Sequence, residues 1–265
     1  MKKLIFGLLT LSFLMTSCDD GWGIFDRSSI KGAGAVERMT RDVKDFKSVN
    51  LAASGDVFVK QSTTFKVEVE GQKNITDVLE TVVEDGVLVI KFKKGTWNVQ
   101  FEKLNIYVEM PSVESLEITG SGNLTTESAF SGDNMTLYIA GSGNIKAEQA
   151  LTAKTLKVSL GGSGDIEVKA IATSELTAKI SGSGNLDLGG TADKATYTIA
   201  GSGDINAKNV KSKATEAHVS GSGNISCHAD ESIDAHSSGS GDIEYSGNAT
   251  VIKTKASGSG EIYKK

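Results

Sequence analysis

The chain has 265 residues, with 28 Lys and Arg set against 33 Asp and Glu for a formal net charge of −5. Its three arginines are Arg27, Arg38 and Arg41, so nothing beyond residue 41 can clamp phosphates bidentately, which argues against a nucleic-acid partner. Aromatics make up 6% of the chain, there is one proline (Pro111), and Cys18 and Cys227 cannot supply a disulfide framework, so order has to come from something regular.

The first segment reads as a targeting signal. Lys2 and Lys3 precede an apolar run over residues 4–15, too short to span a bilayer. It ends in Leu14-Met15-Thr16-Ser17-Cys18, which is similar to a bacterial lipobox apart from Met15, where leucine is commoner. The expectation is a lipoprotein signal peptide over 1–17, with Cys18 as the lipid attachment and the membrane as partner; the alternative is an ordinary secretory signal. Two or three acyl chains would anchor the protein stably. Asp19 and Asp20 then resemble an export signal for the outer leaflet, so an outer-membrane lipoprotein is expected at the cell surface, with the periplasmic face as the alternative.

Residues 18–29 read as a tether and 30–112 as an N-terminal cap of β coils. A weak copy of a glycine corner stands at Gly32-Ala33-Gly34-Ala35-Val36. A better one follows 21 residues later at Ala53-Ser54-Gly55-Asp56-Val57, flanked by Val49, Leu51 and Val59 on the same parity. Strands are predicted over Phe65–Glu70, Val87–Phe92 and Leu104–Met110, with a helical turn at Asn74–Glu80 capped by Asn74.

Residues 113–265 are a repeat. A Gly-Ser-Gly triplet starts at Gly120, Gly141, Gly162, Gly182, Gly201, Gly221, Gly239 and Gly258, at spacings of 21, 21, 20, 19, 20, 18 and 19. The second glycines, from Gly122, Gly143, Gly164, Gly184, Gly203 and Gly223 to Gly241, precede Asn123, Asn144, Asp165, Asn185, Asp204, Asn224 and Asp242. The next position is always aliphatic: Leu124, Ile145, Ile166, Leu186, Ile205, Ile225, Ile243 and Ile262. Apolar and polar residues alternate on both sides of the corner, the signature of a strand with one buried face. About 20 residues of strand, at roughly 3.3 Å each, close one coil of a solenoid, and stacked coils bury a continuous aliphatic column. The fold expected is an all-β, right-handed, single-stranded parallel β-helix of about 20 residues per coil.

The triplet glycines are expected at corners with no room for an inward side chain and with a need for positive φ. The Asn and Asp residues are expected to form an outward ladder, alternating so that like charges are two coils apart. The segments GGTADK, KNVKSKA and SGNAT between copies read as exposed loops. The closing Glu261-Ile262-Tyr263-Lys264-Lys265 would discourage end-to-end stacking.

The run Phe46…Val49…Ser54-Gly55-Asp56-Val57, the bridge Leu104…Val108…Met110-Pro111…Leu116…Ile118 and the serial corners together resemble the auto-transporter adhesin head GIN domain family over residues 45–265. The resemblance implies a right-handed β-helix and an adhesive role on the envelope of Gram-negative bacteria. It carries no catalytic residues.

Chemistry is otherwise sparse. Polysaccharide-cleaving β-helices build clefts from long loops and use arginine or lysine bases, whereas these corners are short and lack arginine. Gly161-Gly162-Ser163-Gly164-Asp165 is similar to a calcium nonapeptide, but its aspartate falls one place early. His218 and His236 share an outward column, with Glu216 and Asp234 beside them. Four such ligands could hold a metal, but the favoured reading is a solvated polar face with no metal. Cys227 falls on the inward parity as a small buried hydrophobe. The reading is a non-catalytic surface module that needs no cofactor and takes a glycan or a cell-surface protein. A purely structural envelope component is the alternative, and a polysaccharide-degrading enzyme is a more distant one.

Overall fold

The computed structural model describes residues 28–265. The signal segment, Cys18 and the tether up to residue 27 lie outside them. Ten elements build the N-terminal part: β1 (Ser28–Lys31), β2 (Val36–Arg41), β3 (Ser48–Leu51), β4 (Asp56–Gln61), β5 (Lys66–Gln72), α1 (Lys73–Thr76), β6 (Leu79–Glu84), β7 (Val87–Phe92), β8 (Thr96–Gln100) and β9 (Leu104–Met110). The repeat then runs through β10 (Ser115–Ile118), β11 (Asn123–Thr126), β12 (Phe130–Ile139), β13 (Ile145–Ala147), β14 (Leu151–Leu160), β15 (Ile166–Ile180), β16 (Leu186–Ile199) and β17 (Ile205–Val219). It ends with β18 (Ile225–His228), β19 (Ser232–Ser237), β20 (Ile243–Ser246), β21 (Val251–Ala256) and β22 (Ile262–Lys264).

The repeat is a parallel β-solenoid. Before each corner, β3, β10, β12, β14, β15, β16, β17, β19 and β21 pair in parallel in that order. After it, β4, β11, β13, β15, β16, β17, β18, β20 and β22 do the same. The aliphatic residue after each Asn or Asp therefore meets its counterpart: Leu124 faces Ile145, then Ile166, Leu186, Ile205, Ile225, Ile243 and Ile262 in turn. All but the terminal Ile262 are buried.

A third side closes the middle coils. Phe130, Leu151, Ile171, Gly190 and Val210 stack in register, and all but Gly190 are buried hydrophobics. The segments GGTADK and KNVKSKA, expected as loops, lie within β16 and β17. Inside them Ala192, Val210 and Ser212 are buried, and in SGNAT Ala249 is buried. Polar and charged outward residues such as Lys211 and Lys213, and small inward ones such as Gly190, Ala192 and Ser212, hid the period-2 pattern.

The N-terminal cap threads out of order. β7 lies beside β3 and β9 beside β4, both parallel, although both come later in the chain. The first coil in space is thus the second in sequence. Antiparallel strands then seal this end: β6 on β7, β5 on β9, and β2 on β5. Gly32–Val36 is consequently no solenoid corner. It links β1, which pairs with β8 in a separate two-stranded ribbon, to the antiparallel β2. Strand β1 begins at Ser28, two residues inside the segment read as tether. The predicted helical turn is the single turn α1, and Asn74 does not cap it. Its side chain instead bridges backward, accepting from the Ala33 N–H and donating to the Lys31 carbonyl. No described helix is long and apolar enough to cross a membrane.

The opposite end carries no such seal. On β21, Ile252 and Val251 are 46% and 56% exposed, flanked by Lys253 and Lys255. Charged side chains on a bare edge are a common guard against edge-to-edge pairing.

Candidate binding faces

The corners set the spacing of everything displayed on the rod. A Cβ on Gly143 would lie 1.7 Å from the carbonyl oxygen of Gly122, and one on Gly141 would lie 1.8 Å from that of Gly120. The same clash recurs from coil to coil as far as Gly260. The obstacle is therefore the backbone of the preceding coil, and not a crowded interior. Positive φ plays no part either: among the corner glycines it occurs at Gly55 alone, in the first and least regular corner.

Outside the corner runs the ladder. The side-chain Oδ1 of Asn123, Asn144, Asp165, Asn185, Asp204, Asn224 and Asp242 each accepts the backbone N–H of the equivalent residue one coil on, at 2.7–3.2 Å. The alternation has a second use. Asn185 and Asn224 also donate Nδ2 to Asp165 and Asp204 at 3.1 Å, so an amide sits on each of these two carboxylates. These groups are satisfied by their neighbours.

The face before the corner carries the histidines. The His218 and His236 rings are 5.5 Å apart, edge to face, on paired positions of β17 and β19. His236 Nε2 lies 2.9 Å from Asp234 Oδ1, while Glu216 turns to Lys194 at 2.8 Å. The structure thus brings His218, His236 and Asp234 side by side and draws Glu216 away. Among the described residues no three His, Cys, Asp or Glu side chains converge as a metal site.

Two clusters escaped the sequence reading. Near the N-terminal seal, Phe58 stacks on Tyr107 at 5.3 Å, and the Arg38 guanidinium lies 3.8 Å from the Tyr107 ring centre. The Tyr107 hydroxyl donates to Glu70 at 2.9 Å, and Lys103 pairs with the same carboxylate at 3.0 Å. The bonds from Lys103 and Tyr107 hold the Glu70 carboxyl below its ordinary value of 4.5. These residues come together only because β2, β5, β9 and β4 are neighbours, which no local pattern announces.

The second cluster is a relay near the C-terminal end. The nearly buried His228 ring contacts Ser246 Oγ through Nδ1 and Asp230 Oδ1 through Nε2, both at 3.0 Å. In a hydrolytic triad the carboxylate holds Nδ1 and the serine faces Nε2, so the two nitrogens are exchanged here. The His228 carbonyl also accepts from Ser212 and Thr215, which ties three coils together. The relay reads as closure of a shortened coil. Cys227 next to it is buried, and burial pushes its thiol up to about 12, which makes it inert as a nucleophile.

The comparisons with known proteins agree with this architecture. The family model described as "Putative auto-transporter adhesin, head GIN domain" matches residues 45–168 and 137–249, more than half of the chain. A solved structure from Parabacteroides distasonis, titled a "Putative lipid binding protein", is 30% identical, with a TM-score of 0.85 over 90% of this chain and 100% of its own. Structures titled putative adhesins give TM-scores of 0.70 (Bacteroides fragilis, 27% identical, covering 89% of this chain and 100% of its own) and 0.85 (P. distasonis, 24% identical, covering 90% and 100%). No curated protein matches. The solenoid and the matched segments together place this chain in the auto-transporter adhesin, head GIN domain family.

Proposed function

We propose that the protein is an envelope-associated binding rod, held to the outer membrane through an acylated Cys18 and acting without catalysis. The observation that carries this reading is the register. Outward side chains repeat along the rod as flat, continuous strips, such as Tyr138, Ser159, Lys179, Thr198 and His218 on neighbouring strands. Such strips suit an extended glycan or a cell-surface protein better than a small substrate. The names of the family and of the similar structures, adhesins and a lipid-binding protein, support a binding role on the surface or envelope. A glycan array and a panel of host surface proteins test it with the purified rod: saturable binding supports it, and silence across both counts against it. Zinc titration of the wild type and of His218→Ala should give the same trace, since the reading calls for no metal.

One observation favours a second reading, a ligand-free spacer. The corner ladder satisfies its groups within the rod instead of offering them outward. Protease shaving of intact cells separates the two, because a rod facing the periplasm could not adhere to other cells.

A further inference from the structure

We infer that the ribbon of β1 and β8, with the β7–β8 turn, is the membrane-facing surface of the anchored protein, and that it takes an anionic bilayer interface through Trp97, Lys93 and Lys94. The inference rests on the anchor proposed above and adds to it which part of the rod meets the lipid.

Three observations converge on this ribbon. Trp97 is 58% exposed, the most exposed large apolar side chain among the described residues. It stands on β8, two residues after the exposed turn Lys93-Lys94-Gly95; Lys31 is exposed at the far end of the ribbon, opposite Gln100. A tryptophan flanked by lysines is the composition that settles at a bilayer interface: the indole sits at headgroup depth while the ammonium groups meet anionic lipids. The third observation is the register. β1 and β8 run parallel, with Ser28 opposite Thr96 and Ser29 opposite Trp97. The chain therefore arrives from Cys18 at the end of the ribbon that holds the lysine turn. Residues 19–27 span at most about 30 Å when extended, at roughly 3.3 Å per residue. An acylated Cys18 would hold this ribbon near the lipid, with the open end of the rod at β21 and β22 pointing away.

The local charge agrees. Lys93 donates its ammonium to the Asp77 carbonyl, while the Asp77 carboxylate is engaged by Lys73. The other face of the ribbon, through Ile30 and Val99, packs against the core, which fixes Trp97 on the outside. The acyl chains on Cys18 would already hold the protein to the membrane, and a second contact of this kind sets the orientation of the rod.

The test uses the mature chain from Cys18 with Trp22→Phe, which leaves Trp97 as the sole tryptophan. Cys18 is joined to a maleimide lipid in vesicles of three parts phosphatidylcholine to one part phosphatidylglycerol; the buried Cys227 does not compete. Trp97 emission should shift to the blue and be quenched by brominated acyl chains. Lys93→Glu with Lys94→Glu should reduce the quenched fraction of Trp97 about tenfold. A second reporter, Tyr263→Trp in a Trp97→Phe background, should remain unquenched at the far end. Emission from Trp97 unchanged from that of the free protein, or equal quenching of both reporters, overturns the inference. The chemical linkage makes this result independent of acylation in the cell. Mass spectrometry of Cys18 from native membranes addresses that separately, and an unmodified cysteine there overturns the anchor and not the lipid affinity of the ribbon.

Discussion

At the scale of single residues, the glycine corners and the Asn/Asp ladder decide the stability of the rod. Gly143→Ala drives a methyl to 1.7 Å from a backbone oxygen, and backbone held by pairing on both sides cannot yield easily. We expect a loss of about 3 kcal/mol, the upper end of ordinary overpacking, by denaturant unfolding. Gly132→Ala is the matched control. Its Cβ would find the nearest atom at 3.7 Å, an ordinary contact, and the change should lie within about 0.5 kcal/mol of neutral. The ladder offers a second test. Asn185→Asp would set a third carboxylate between Asp165 and Asp204, each one coil away, and remove the amide that donates to Asp165. It should cost about 1 kcal/mol at low ionic strength and recover in part at 1 M salt, where the screening length falls to about 3 Å.

At the scale of elements, the parts differ in how far local sequence betrays them. The two sides flanking each corner were legible, because Ile and Leu alternate with charged residues on a fixed count from the glycine. The third side was not. Its inward positions include Gly190, Ala192 and Ser212, which read as loop composition, and Ala192 and Ser212 are buried only because the coils above and below cover them. The threading of the cap was illegible for another reason. That β7 and β9 precede β3 and β4 in space depends on pairings between residues far apart in the chain, and single-strand periodicity carries no partner identity. The Phe58–Tyr107–Arg38 cluster and the Ser246–His228–Asp230 relay were missed on the same account, since each joins residues from different coils or strands.

The cap has its own pH signature. The folded-state value of Glu70 is depressed, so its contribution is present above the ordinary carboxylate value and is lost as pH falls through the lower folded value. Acidification below the ordinary carboxylate value should therefore release Tyr107 and Lys103, and the Tyr107 ring resonances should titrate with that release by NMR. In Glu70→Gln they should not. A Tyr107 signal that stays constant through that range in the wild type would show that the cluster is not linked through Glu70.

At the scale of the whole molecule, one short sequence pattern, repeated, produces a rod with flat faces, sealed at one end and open at the other. The antiparallel strands close the N-terminal end, while β21 leaves Val251 and Ile252 exposed at the other. The display of side chains follows from coils stacked in register. The most direct measurement is a distance ruler along the corner, using spin-label pairs at the exposed serines in the middle of the triplets, with Ser259 fixed as one partner and Ser222, Ser163 or Ser121 as the other. Pulsed dipolar spectroscopy should give mean separations rising linearly with the number of coils between labels, by about 4.8 Å per coil, to roughly 34 Å for Ser121 with Ser259, seven coils apart. Separations that fail to grow with coil number, or that saturate well short of that length, would contradict the stacked rod and with it the faces argued from it.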